Sequence, residues 1–290
     1  MIRVEAATVL LQWAVGGMAF CWFTTRRRVA SLGYGWLLRG IYGLMALGAF
    51  ACGLAFGVVP LREASSLGVA IACAAVLAVS VARRGAGVSG HRAEHDRRTA
   101  RVAAMTGIDR HVEDPALPDQ GREFDPTLDL VPVAIGVVGL IAAAVDAVDG
   151  GAGDVAVSLV RTFASAAFLG AVSDAMLLGH WYLTQPGLPR RLLHELVDAL
   201  GWVWPLEVVA LLLPTGMISV WTGAVDDGWN GTLGWFWGAS ALTTIILVVV
   251  TKAALREREY SAVMAATGLL YLAILTAFGT DLVARAVLAG

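Results

Sequence analysis

Charge is what this sequence has least of. Only 15% of its 290 residues are Asp, Glu, Lys or Arg, against roughly 25% in an ordinary soluble domain. Hydrophobic residues make up 58% and the mean hydropathy is +0.71. That balance excludes a soluble globule. Lysine is nearly missing, a single Lys252 against twenty arginines, a bias that fits a GC-rich bacterial genome.

Cysteine is also scarce. Cys21, Cys52 and Cys73 each sit in a different apolar run without CxxC or CxxCH spacing, so neither a disulfide framework nor c-type haem attachment is read, and the three thiols are packing residues. Period-two alternation over about ten residues is absent, which removes an outer-membrane barrel. No Walker loop and no GxSxG is present, and HELVD (194–198) lacks the second histidine of HExxH. These absences remove ATP-driven, α/β-hydrolase and zincin chemistry. Asp149-Gly150 is not followed by the Ala-Arg pair of CDP-alcohol phosphotransferases.

What the sequence does have is eight long apolar runs, at about 7–24, 37–59, 66–82, 130–148, 157–183, 195–217, 232–251 and 261–286. A helix needs about 20 mainly apolar residues to cross about 30 Å of hydrocarbon. The expected fold is all-α, a polytopic transmembrane bundle of about eight helices. Arg26 to Arg28, then Arg83 to Arg101, then Arg190 and Arg191, and finally Lys252 to Arg258 fill alternate connections. The intervening connections hold Arg62 alone, then no basic residue in DAVDGGAGD or WTGAVDDGWNGT. By the positive-inside rule the basic connections are cytoplasmic and both termini lie outside. TTRRR after the first run reads as stop-transfer, so that span is expected to be retained. The location read is the bacterial cytoplasmic (inner) membrane, with the lipid bilayer and further membrane subunits as partners and no nucleic acid.

Three segments follow: 1–82 with three helices, a cytoplasmic connection 83–129, and 130–290 with five helices. The connection is basic in its first half, then acidic and broken by Pro115, Pro118 and Pro126. Its histidines, His91, His95 and His111, stand among basic neighbours and read as solvated or headgroup-facing.

Polar residues concentrate between 173 and 207. Trp181 marks the inner interface, as amphipathic rings settle at headgroup level. Counting back 20 residues at about 1.5 Å each puts Arg161 at the outer interface and Asp174 about 10 Å inside the hydrocarbon. Glu207 falls about 16 Å into the sixth span, two residues after a kinking Pro205. Intramembrane acids cost several kcal/mol, so they call for a partner or a purpose. Asp174 and Glu207, with Asp198, are read as a proton or ion path in the 174–207 hairpin.

QPGLP (185–189) forces a tight turn, which brings His180 toward His194 and Asp198, a set that a metal would accept; His180 and His194 are the candidate metal or haem ligands, one b-haem being held between His180 and a ligand elsewhere. Arg161 and Asp281 are expected to pair near the outer interface. The leading functional expectation is proton-linked movement of a small solute. The alternatives are a redox subunit holding one b-haem or a quinone near His180, or a structural subunit of a membrane complex.

Overall fold

The protein is described by a computed structural model covering residues 5–89, 100, 122–185, 188–257 and 259–288. Most of the 83–129 connection, with His91, His95, His111, Pro115 and Pro118, lies outside the described residues, as do Pro186, Gly187 and Arg258. Every regular element among the described residues is helical. The helices are α1 (Ala6–Thr25), α2 (Leu32–Phe56), α3 (Pro60–Ala82), α4 (Leu130–Asp146), α5 (Ala152–Thr184), α6 (Arg191–Leu212), the short α7 (Gly216–Trp221), α8 (Thr232–Ala254) and α9 (Tyr260–Leu288). A 3-10 turn, Pro126–Asp129, feeds α4.

A helix stands at each of the eight apolar runs, and seven helices are long and apolar enough to cross a membrane. The exception is α6. Its 22 residues have the length, but Arg191, Glu195, Asp198 and Glu207 dilute its apolar character. It also stops at Leu212, short of the expected 217, because Pro214 has no N–H with which to extend the ladder. Within α6, Pro205 leaves the carbonyl of Gly201 without its helical donor.

The distribution of polarity reverses that of a soluble protein. Gln12, Arg39, Arg62, Asp129, Arg161, Asp174, Glu207, Asp281 and Arg285 are buried, while Phe56 is 85%, Leu44 71% and Leu275 66% exposed. Helices satisfy their own backbone groups, so this apolar exterior is the surface that lipid accepts. The chain is thus a multi-pass membrane protein by its helices and its exterior alike.

Two helices organise the packing. α1 lies against α2, α4 and α5, while α5 also contacts α4, α6 and α9. The α1–α5 crossing is tight: a Cβ on Gly16 would land on the carbonyl of Ala166, and one on Gly170 would land on the backbone of Gly16. Small residues let backbones approach where dispersion and packing drive association. One large apolar core follows this seam; a second, smaller one, of Leu211, Met217, Val220, Trp237, Ala284 and Val287, closes the end where α6 stops.

Candidate functional site

The basic connections share one end of the bundle, and contacts tie them together. Arg27 of the α1–α2 connection reaches Glu195 of α6 at 2.8 Å. Arg28 reaches Glu123, just before α4, at 3.0 Å. Arg190 donates to the carbonyl of Glu257 between α8 and α9. All four connections therefore lie together at what we term the basic end.

The corner expected to hold His180, His194 and Asp198 is spread out. His194 Nε2 lies 3.1 Å from the carbonyl of Leu255, and Asp198 pairs with Lys252 at 2.5 Å, half-exposed. His180 is exposed and meets the hydroxyl of Tyr271 through Nδ1 at 3.3 Å. Each has its own partner on α8, α9 or the connection between them, so the three do not converge. Among the described residues no group of three His, Cys, Asp or Glu side chains is placed to hold a metal.

Asp174 and Glu207 are both buried, but they face different neighbours. Asp174 accepts from the hydroxyl of Tyr42 on α2, and its Oδ2 has no partner. The hydroxyl of Tyr34 approaches the Asp174 carbonyl at 3.5 Å, while Trp13 of α1 donates to the adjacent Ser173 at 2.6 Å. This acid belongs to the α1–α2–α5 side. Glu207 looks the other way, toward Asp281 and Arg285 of α9 and Arg161 of α5. The two acids of the hairpin thus stand apart, and the carboxyl beside Glu207 is Asp281.

That second cluster is dense. Arg285 Nε donates to Asp281 Oδ2 at 2.8 Å and its Nη2 to Oδ1 at 3.0 Å. Ser165 of α5 donates to Asp281 at 2.5 Å while accepting from Arg285 at 2.7 Å. Asp281 and Arg285 answer each other's charge, whereas neither oxygen of Glu207 accepts a hydrogen bond. The expected Arg161–Asp281 pair is not formed, because Asp281 has Arg285 one helical turn away. Arg161 instead donates through Nε to the carbonyl of Ala210 at 3.1 Å and through Nη2 to that of Leu213.

Two further buried clusters escaped the sequence reading. Arg39 grips Asp129 with Nε to Oδ1 at 2.7 Å and Nη2 to Oδ2 at 2.8 Å, its plane over Phe124. Thr25 and Cys21 of α1 also approach Asp129, and Ser80 of α3 accepts from Arg39. The signal was there: an arginine inside an apolar run and an aspartate one residue before another. At the far end Arg62 joins Glu63 at 2.7 Å, Glu5, and the carbonyl of Gly57. In both clusters each charge faces an opposite one, so they fasten helices.

Outside the spans, Asp227 organises the connection before α8. Partial burial works against its charge, yet the N–H groups of Trp229, Gly231 and Leu233, at 2.8–2.9 Å, outweigh it and hold the carboxyl below the usual carboxylate range. Among the described residues, the Arg39 and Arg62 clusters are closed fasteners, whereas Asp174 keeps one oxygen, and Glu207 both, without a hydrogen-bond donor. No family model matches this chain, nor does any curated protein or solved structure.

Proposed function

We propose that the chain is an eight-span protein of the bacterial cytoplasmic membrane, termini outside, in which Glu207 takes up and releases a proton during movement of a small solute. One observation carries this reading: Glu207 is fully buried, neither of its oxygens accepts a hydrogen bond, and the side chain it meets at hydrogen-bonding range is another carboxyl, Asp281. Its neighbours Asp281 and Arg285 already satisfy each other, and Arg161 is held by backbone carbonyls, so Glu207 has no ion-pair partner in the cluster. A proton on Glu207 would let it donate to Asp281; without that proton it needs a counter-charge. An ionisable group with two such states inside the membrane is how proton-coupled carriers work. Pro205 supports the same reading, since it loosens the helix one half-turn away. In this scheme Asp174, with one oxygen unpartnered, is a second exchange position, and Asp198 lies where the path meets cytoplasmic water.

Infrared difference spectra of the purified protein across pH test the proton site. A carboxyl band in the wild type that vanishes in Glu207→Gln is expected, together with loss of pH-gradient-driven uptake from a labelled solute mixture in proteoliposomes. Persistence of the band, with uptake indifferent to the gradient, would defeat the proposal. The redox alternative draws on the exposed imidazole of His180 beside Tyr271, and a visible spectrum of the same preparation tests it: a Soret band that shifts on dithionite reduction would establish haem.

A further inference from the structure

Arg161 and Glu207 are opposite charges buried on adjacent helices, and neither is paired with the other. Among the described residues Arg161 has no carboxylate within salt-bridge distance; it holds the carbonyls of Ala210 and Leu213 at the end of α6. A guanidinium suits that position, because unmatched carbonyls give a helix C-terminus partial negative charge. Glu207 and Ala210 are three residues apart on the same helix, a rise of about 4.5 Å between their Cα atoms, so the guanidinium on the Ala210 carbonyl stands more than that along the axis from the carboxyl. The chain also leaves room for it. Gly216 has φ +31°, and a Cβ there would stand 3.2 Å from Arg161 Nη2 and collide with the carbonyl of Leu211.

We propose that Arg161 and Glu207 form a two-position gate at the end of the bundle opposite the basic end. With Glu207 protonated, Arg161 clamps the last turn of α6; with Glu207 ionised, the guanidinium moves one turn to the carboxylate and frees that turn. The gate rests on the reading that Glu207 exchanges a proton. An ionised Glu207 left unpaired in a dry site is costly, and Arg161 is the cation able to answer it. Arg285 is committed to Asp281 and Ser165. Asp281 adds only like charge from α9, and α8 carries no charged residue between Thr232 and Thr251. The segment to be freed packs into its own small core with Met217, Val220 and Trp237, apart from the main one. Its release therefore leaves the main seam intact.

Hydrogen–deuterium exchange of amides 208–216 in the full chain tests the gate. Wild type and Glu207→Gln are compared at equal pH, so that the intrinsic pH dependence of exchange cancels. Their ratio is expected near one at acid pH and to rise severalfold as Glu207 ionises. Arg161→Gln should exchange fast at every pH, and should do so equally when combined with Glu207→Gln. If that variant fails to fold, Arg161→Lys replaces it, a point charge that cannot span both carbonyls. Equal exchange of wild type and Glu207→Gln across the range, while the infrared band still titrates, overturns the gate and leaves the proton site standing. Absence of the band overturns both.

Discussion

Arg39 and Asp129 meet with both charges out of water, and such a pair is easier to break than to remove. Deleting one partner strands a buried charge, which costs about 3–5 kcal/mol, whereas exchanging both for apolar residues is often near neutral. Arg39→Ala should therefore lower the melting temperature in detergent sharply, and Arg39→Met with Asp129→Leu should restore most of the loss. A double variant no better than the single one would show that Thr25, Cys21 and Ser80 depend on the pair for their own hydrogen bonds. Glu207 differs because it completes no network. Glu207→Leu should raise or preserve stability while abolishing any proton-linked activity, and a melting temperature well below wild type would identify the acid as a tether. Burial depth singled out Glu207 and Asp174 in the sequence, since position within an apolar run is local information. Their partners were not legible. Whether Glu207 turns toward α5 or α9 depends on rotation about the helix axis, and that is set by contacts with residues far away in the chain.

At the scale of elements, helix positions follow from apolar length, and they agree with the runs to within a few residues at most ends. The starts of α2, α3 and α5 lie five or six residues before their runs, and α6 ends five residues early, where Pro214 stops the helix. The α1–α5 crossing was not foreseeable, because glycines are plentiful throughout the chain and only packing decides which of them touch. Gly170→Ala should be among the most damaging small substitutions available: the added methyl meets the backbone of Gly16 and Gly17, and overpacking of this kind costs about 1–3 kcal/mol or more. Gly153→Ala, with open space around it, is the control and should leave yield and melting temperature unchanged. The connection before α8 gives a pH-dependent counterpart. Since backbone N–H groups hold the folded Asp227 below its ordinary value, its contribution is complete above the usual carboxylate range and is lost as pH falls through the lower folded value. The difference in melting temperature between wild type and Asp227→Ala should accordingly be present at neutral pH and vanish in acid.

For the molecule as a whole, the alternation of basic and non-basic connections was the most readable feature, and the contacts of Glu195, Glu123 and Glu257 bring all four basic ones to one end. Reporter fusions after Arg28 and Arg191 should report cytoplasm and fusions at Gly151 and Asp227 the opposite side; one inverted member would break the eight-span topology. The Gly16–Gly170 seam also limits how the two halves can move. Backbones already in contact resist sliding along each other, so a tilt of α5 would turn about that crossing, as a beam about a fulcrum. Arg161 is nine residues to one side of Gly170, about 14 Å, and Trp181 eleven to the other, about 16 Å. With arms so nearly equal, a displacement of Arg161 in one direction swings Trp181 by a similar distance in the other. It would stretch the 3.2 Å bond from Trp181 to Ser31, so that an event at one membrane face would be reported, as a change in indole fluorescence, at the opposite one.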